Sequence, residues 1–148
     1  MTVSGKSVYS VFTLCILCCG AALPADEAAD KKRLSGRYVG QIVDGGGERG
    51  PVEVSSLLIT MDSISGTQPG GRSMGEGSYR IDTSQGRYWL DATGIIGPAR
   101  GKSFQGIFKM EGETLTWCVA NPGKPRPTEF ASRPSQGQYV MVLRRQSR

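Results

Sequence analysis

From Gly36 onward, glycine or proline returns so often that the chain has little room for a helix longer than about ten residues. The 148 residues include 21 Gly and 8 Pro, and these fall mainly between short runs of β-forming residues. The runs are Arg37 to Val43, Val52 to Met61, Gly75 to Asp82, Tyr88 to Ala92, Phe104 to Met110, Thr114 to Ala120 and Gln138 to Arg144. Ser63-Ile64-Ser65 either continues the second run or forms a short strand of its own. Thr83-Ser84-Gln85-Gly86 and Glu111-Gly112-Glu113 have the composition of hairpin turns. Seven to nine short strands within about 115 residues predict an all-β barrel or sandwich. Parallel neighbours would need crossover helices, which the sequence lacks, so the strands are expected to run antiparallel. Closure removes the exposed edges of so many strands, which favours a small up-and-down β-barrel of about eight strands.

The chain before Gly36 is different in kind. Lys6 precedes the apolar run Val8 to Cys19, and the small residues Gly20, Ala21, Ala22 and Ala25 follow it. That order predicts a secretory signal peptide over residues 1–25, cut after Ala25 or after Ala22, with a retained membrane anchor as the alternative. Cys18 and Cys19 raise lipid attachment as a minority option, although Leu17 and Cys18 occupy the place of the small residue that a lipobox requires. Residues 26–35 lack Pro and contain Gly nowhere, which predicts a short helical lead-in. Residues 36–146 are left for the barrel. The expected location is the periplasm or the exterior. Cys15, Cys18 and Cys19 leave with the signal, so Cys118 alone remains and stability must come from packing rather than cross-links.

Histidine is absent, which removes the usual general base near neutral pH and the commonest metal ligand. With a single Cys in the mature chain and no Asp-rich loop, no metal and no cofactor is expected. Gly45-Gly46-Gly47-Glu48-Arg49-Gly50 satisfies G-x-G-x-x-G, but Pro51-Val52-Glu53-Val54 begins a strand where a dinucleotide site needs a helix. The motif is read as a hairpin loop. Asp82 and Asp91 flank one hairpin and are the remaining candidates for an acid and base, against the plainer reading of solvated or turn-capping carboxylates. Residues 26–148 hold 17 Lys and Arg against 13 Asp and Glu, with the basic excess in the second half. The cations are scattered rather than interleaved with aromatics, so nucleic acid is not an expected partner.

The segment Asn121 to Phe130 carries the most information. Its three prolines keep it out of the sheet, while Arg126, Glu129 and Phe130 offer two opposite charges and an apolar anchor. Either Arg126 and Glu129 tie this loop to the barrel, or Arg126 faces an anionic group on a ligand. Phe104-x-Gly106-Ile107-Phe108, Glu111-Gly112-Glu113-Thr114-Leu115, Cys118, Arg126-Pro127-Thr128-Glu129-Phe130 and Val142-Leu143-Arg144-Arg145 together resemble an uncharacterised domain family of exported planctomycete proteins. The resemblance spans roughly residues 31–145 and implies a lipocalin-like small β-barrel behind a signal peptide. Gly36-x-Tyr38 also resembles the Gly-x-Trp start of lipocalins. That likeness implies that Arg144 or Arg145 on the last strand lies over Tyr38 and closes the barrel floor, with Gly36, Tyr38 and Arg144 as closure residues.

The functional expectation is an exported, non-catalytic binding module, monomeric, that holds an unidentified small apolar or anionic ligand. Trp89, Trp117, Phe108, Phe104 and Tyr79 are expected to face inward, and Arg126, Glu129, Phe130, Trp89, Trp117 and Phe108 are the candidate ligand contacts. The same aromatics could instead fill a packed core. The barrel would then act through its surface on an envelope protein or scaffold, with membrane contact only through an uncleaved signal or a lipid. A hydrolase built on paired carboxylates is the remote alternative.

Overall fold

Strand residues alternate between two faces, so each run with large apolar residues at every second position has one side that must leave water. The computed structural model, which describes residues 25–43 and 52–147, resolves this need by closing one sheet on itself. Residues 1–24 of the predicted signal peptide, with its three cysteines, and the Gly45–Gly50 loop lie outside the described residues. A helix, α1 (Ala25–Leu34), is followed by β1 (Gly36–Val43), β2 (Val52–Ile59), β3 (Ile64–Thr67), β4 (Ser73–Asp82) and β5 (Trp89–Ile96). Then come β6 (Ser103–Phe104), β7 (Gly106–Glu111), β8 (Thr114–Ala120) and β9 (Gln138–Arg145).

The sheet runs β4-β3-β2-β1-β9-β8-β7-β5, and β4 pairs with β5 to complete the circle. All these pairs are antiparallel. The first and last strands join in register from Tyr38↔Arg145 to Val43↔Val140. Strands β6 and β7 are two pieces of one wall position, which gives an eight-stranded antiparallel barrel. The predicted run Phe104 to Met110 is thus broken at Gln105, with β6 pairing at Ala92↔Phe104 and Thr93↔Ser103 and β7 only at Trp89↔Ile107. Ile64 and Ser65 belong to a separate strand rather than to an extension of β2, and Ser63 lies just before it.

The seam left by this break is stitched by side chains. Trp117 Nε1 donates to the Leu90 carbonyl at 3.1 Å, standing in for a ladder bond that β7 does not make. Only glycine fits at 106, because a Cβ there would collide with Trp117 Nε1 and crowd the Cys118 carbonyl oxygen at 2.8 Å. The outer side is held by Asp91, which accepts the Gly106 N–H at 3.2 Å and a bidentate grip from Arg126, with Nη2 to Oδ2 at 2.7 Å. Arg126 also donates to the Gly106 carbonyl at 2.8 Å. The proline-rich loop therefore closes over the outside of the barrel and buries the outward Cys118, whose thiol pKa is pushed up by burial.

Inside, Leu57, Ile59, Ile64, Tyr79, Ile81, Leu90, Leu115, Trp117, Val119, Met141 and Leu143 form one continuous apolar cluster with Leu34 and Tyr38. Leu34, at the last position of α1, is fully buried and plugs one end of the barrel. The chain between α1 and β1 is fastened by Ser35, whose N–H and hydroxyl both donate to the Lys31 carbonyl, at 2.9 and 2.8 Å.

Candidate functional site

Residue size along the strands makes the two ends of the barrel unlike. At the α1 end the polar atoms of the interior are paired. Tyr38 Oη donates to the Leu34 carbonyl at 2.7 Å and receives Arg145 Nε at 3.2 Å and Nη2 at 2.8 Å. Arg145 also donates to the Arg33 carbonyl at the C-terminal end of α1, where a cation is favourable. Its guanidinium carbon lies 5.4 Å from the Tyr38 ring centroid. The closing cation is therefore Arg145 and not Arg144, which is exposed and opposite Val39. The reason is parity: Arg145 shares the inward face of Met141 and Leu143, whereas Arg144 shares the outward face of Val142. Tyr79 Oη donates to the Thr60 carbonyl at 2.6 Å, and Thr83 Oγ1 to Asp30 Oδ2 at 2.7 Å. Burial raises the Tyr38 phenol pKa against the opposing pull of Arg145, and it carries Tyr79 up to about 12.

At the opposite end, facing residues are small. Gly66, Gly77, Ala92 and Gly94 stand where the α1 end carries leucine, isoleucine and tyrosine. The result is an open cavity of about 140 Å³ whose walls include Ile42, Leu57, Met74, Phe104, Trp117, Val119, Tyr139 and Met141. Gly94 is needed there for a second reason, since a Cβ would collide with the Ala99 carbonyl oxygen of the loop that follows β5. A dry apolar void of roughly 150 Å³ accepts a benzene-sized ring, and one water needs only about a tenth of that. The walls are mostly apolar, with Ser65, Glu76 and Thr93 adding polar groups. Trp117 Nε1 is already committed to Leu90, while the Tyr139 hydroxyl has no hydrogen-bond partner among the described residues. Burial alone raises the Tyr139 phenol pKa.

The residues anticipated as ligand contacts do not gather in this cavity. Trp117 and Phe104 line it. Phe108 is buried at the α1 end, edge-on to Tyr88 with ring centroids 6.0 Å apart, and Tyr79 is core at the same end. Trp89 is on the outer face, with the Arg126 and Arg87 guanidinium carbons 4.2 and 4.8 Å from its ring. The order Trp89-Leu90-Asp91-Ala92 explains the correction: Trp89 shares a face with the charged Asp91, so Leu90 and Ala92 face inward. Arg126 holds Asp91 and the Gly106 carbonyl on the outer face. Glu129 does not pair with Arg126 but with Arg133, in the open, and Phe130 is exposed with Lys109 Nζ 5.5 Å from its ring. Gly36 lies beneath Arg145, whose Nε would be 3.1 Å from a Cβ at that position.

The two aspartates flanking the β4–β5 hairpin serve separate local structures. Asp82 Oδ1 accepts the Ser84 hydroxyl at 2.6 Å and N–H at 2.9 Å, and Oδ2 faces Arg87 at 3.3 Å. The Ser84 bonds, then Arg87, hold its pKa below the usual carboxylate range. Asp91 is occupied by Arg126. Among the described residues no three His, Cys, Asp or Glu side chains gather to hold a metal ion, and no helix is long and apolar enough to cross a membrane. The chain matches no protein-family model, no curated protein and no solved structure. The cavity-lining residues missed in the sequence, Tyr139 and Met141, lie on the alternating face of β9 that the pattern Tyr139, Met141, Leu143 marks.

Proposed function

We propose that this protein is an exported, non-catalytic binding module that holds one small apolar molecule in the open end of its barrel. The observation that carries this reading is the void of about 140 Å³ walled by Phe104, Trp117, Met74 and Met141. A barrel of eight strands can be filled by its own side chains, and at the α1 end the buried Leu34, Tyr38, Tyr79 and Phe108 occupy the interior. Leaving room at the other end has a cost of about 3 kcal/mol by the scaling for residual cavities, an upper figure for a void open at its mouth. Such a cost is expected to persist where an occupant offsets it. The export of the module is supported by the signal-like order of residues 1–25, and its class by the resemblance to the exported planctomycete family. The polar clusters at Asp82 and Asp91 are satisfied by their neighbours, which favours binding over hydrolysis.

Titration with toluene, followed through the methyl resonances of Met74 and Met141, tests the reading. Saturable shifts of both methyls are expected in the wild type, and their loss in Ala92→Leu, which fills the void from an inward position on β5. Wild-type methyls that do not move at saturating toluene would sink the proposal.

A further inference from the structure

The rim of the open end carries an apolar tip that the core does not use. Ile95 and Ile96, at the end of β5, are 55% and 60% exposed, the most exposed large aliphatic side chains among the described residues. One exposed isoleucine requires no explanation, whereas two adjacent ones at the mouth of a cavity ask for a contact. Their exposure is built in. Glu76 faces Ile96 and Gly77 faces Gly94, so Ile95 is left over as a bulge, a device that re-aims side chains at barrel rims. The loop that follows is closed by its own backbone: the Gly94 N–H donates to the Lys102 carbonyl and the Gly101 N–H to the Gly94 carbonyl, both at 2.9 Å. A Cβ at Gly97 would lie 3.0 Å from the Gly75 Cα, which seats this loop against β4 where Gly75 lines the cavity.

The charges beside the tip are mainly of one sign. Arg100 and Lys102 stand on the same loop and Arg72 on the β3–β4 turn, all exposed and none in an ion pair among the described residues. Glu76 is the acid beside them. Two isoleucines supply only a small part of the roughly 800 Å² that each side of a stable protein interface contributes. An apolar tip rimmed by cations suits an anionic bilayer instead, where the aliphatic groups enter the acyl boundary and the cations stay with the headgroups. We infer that the open end is a membrane-docking face, which sets Ile95 and Ile96 into an anionic lipid surface with Arg72, Arg100 and Lys102 at its headgroups. Docking turns the cavity mouth toward the bilayer, the phase into which a small apolar molecule partitions. That last step rests on the small-ligand reading; the docking itself rests on the rim residues alone.

The experiment adds bicelles of phosphatidylcholine and phosphatidylglycerol, doped with a lipid spin-labelled in its acyl chain, and reads the broadening of methyl resonances. The Ile95 and Ile96 methyls are expected to broaden strongly, and that of Met61, exposed at the α1 end, to stay sharp. Ile95→Ser combined with Ile96→Ser should weaken binding about tenfold, the worth of withdrawing two half-exposed aliphatic side chains from lipid. Arg100→Gln combined with Lys102→Gln should weaken it about fivefold per charge, an effect absent on phosphatidylcholine alone and fading as salt is raised. An unchanged Met141 methyl resonance in the core reports that each variant keeps its fold. Isoleucine methyls broadened no more than Met61, or binding that neither variant alters, would overturn the inference and leave the toluene test of the cavity untouched. A dimer that forms without lipid and disperses in the isoleucine variant would assign the tip to a second copy and also overturn it. Broadening at Ile95 and Ile96 in a protein that ignores toluene would keep the docking face and remove the small-ligand reading.

Discussion

The two ends of the barrel are built from the same strands and differ in what fills them. At the α1 end Leu34, Tyr38, Tyr79 and Phe108 occupy the interior, and their hydroxyls are met by backbone carbonyls and by Arg145. At the open end Gly66, Gly77, Ala92 and Gly94 leave a void, and Tyr139 is left without a partner among the described residues. The contrast teaches that strand alternation decides which side chains enter a barrel, while residue volume at those positions decides whether the interior is a core or a container. A stable floor and an unfilled mouth are complementary, since the packing at one end offsets the vacancy at the other.

Three measurements bear on this contrast. The largest effect is expected for Leu34→Ala, which removes a fully buried plug. Denaturant unfolding should show a loss of about 2 to 5 kcal/mol, and a loss below 1 kcal/mol would mean that α1 does not seal the floor. The next concerns alkaline pH. The Tyr79 phenol is carried from 10.0 to about 12 by burial first and the Asp62 carboxylate second. With the folded pKa above the unfolded one, the stability it contributes is whole below pH 10 and is lost as pH rises from 10 to 12, roughly 2 to 3 kcal/mol in all. Stability of the wild type should fall over that window, and Tyr79→Phe should flatten the fall; an identical slope in the variant would show that the phenol is as solvated in the folded chain as in the unfolded one. The smallest effect belongs to the open end. A Cβ at Gly66 would meet Met74 Sδ at 3.4 Å and Leu57 Cδ1 at 3.5 Å, ordinary contact distances. Gly66→Ala should therefore stabilise by about 0.5 to 1 kcal/mol, seen as a rise of a few degrees in Tm, whereas a drop would mean that this end is already packed.

Much of the architecture was legible because glycine and proline mark the turns and because parity along a strand is a local property. The limits of β8 follow from that alone, and those of β1 and β9 to within one residue, as does the short lead-in helix. Parity also held the answer for Trp89, since Asp91 two residues on fixes its face outward, but aromatic size is an attractive reason to place a residue inside. What local pattern does not contain is which distant residues meet. Asp91 and Arg126 stand 35 residues apart, and each has a nearer plausible partner of its own, Asp82 as a fellow acid and Glu129 as a counter-ion. Their pairing depends on the break at Gln105, which brings the loop back over the seam, and no short-range signal marks that break. The cavity was hidden for a related reason: Gly66, Gly77, Ala92 and Gly94 are scattered over 29 positions, and only the closed sheet sets them around one space.

Closure itself constrains how the molecule can be made. The contact between Tyr38 and Arg145 spans 107 positions, so the first strand finds its final neighbour only when the last has been synthesised. Until then β1 and β8 each present a row of free amides and carbonyls, the kind of edge that recruits a strand from another chain. Joining ends so far apart in sequence is also slow. Barrel completion accordingly waits for β9, and a chain that stops before Gln138 lacks the strand that pairs with both β1 and β8. Incomplete copies are therefore expected to aggregate more readily than the finished barrel.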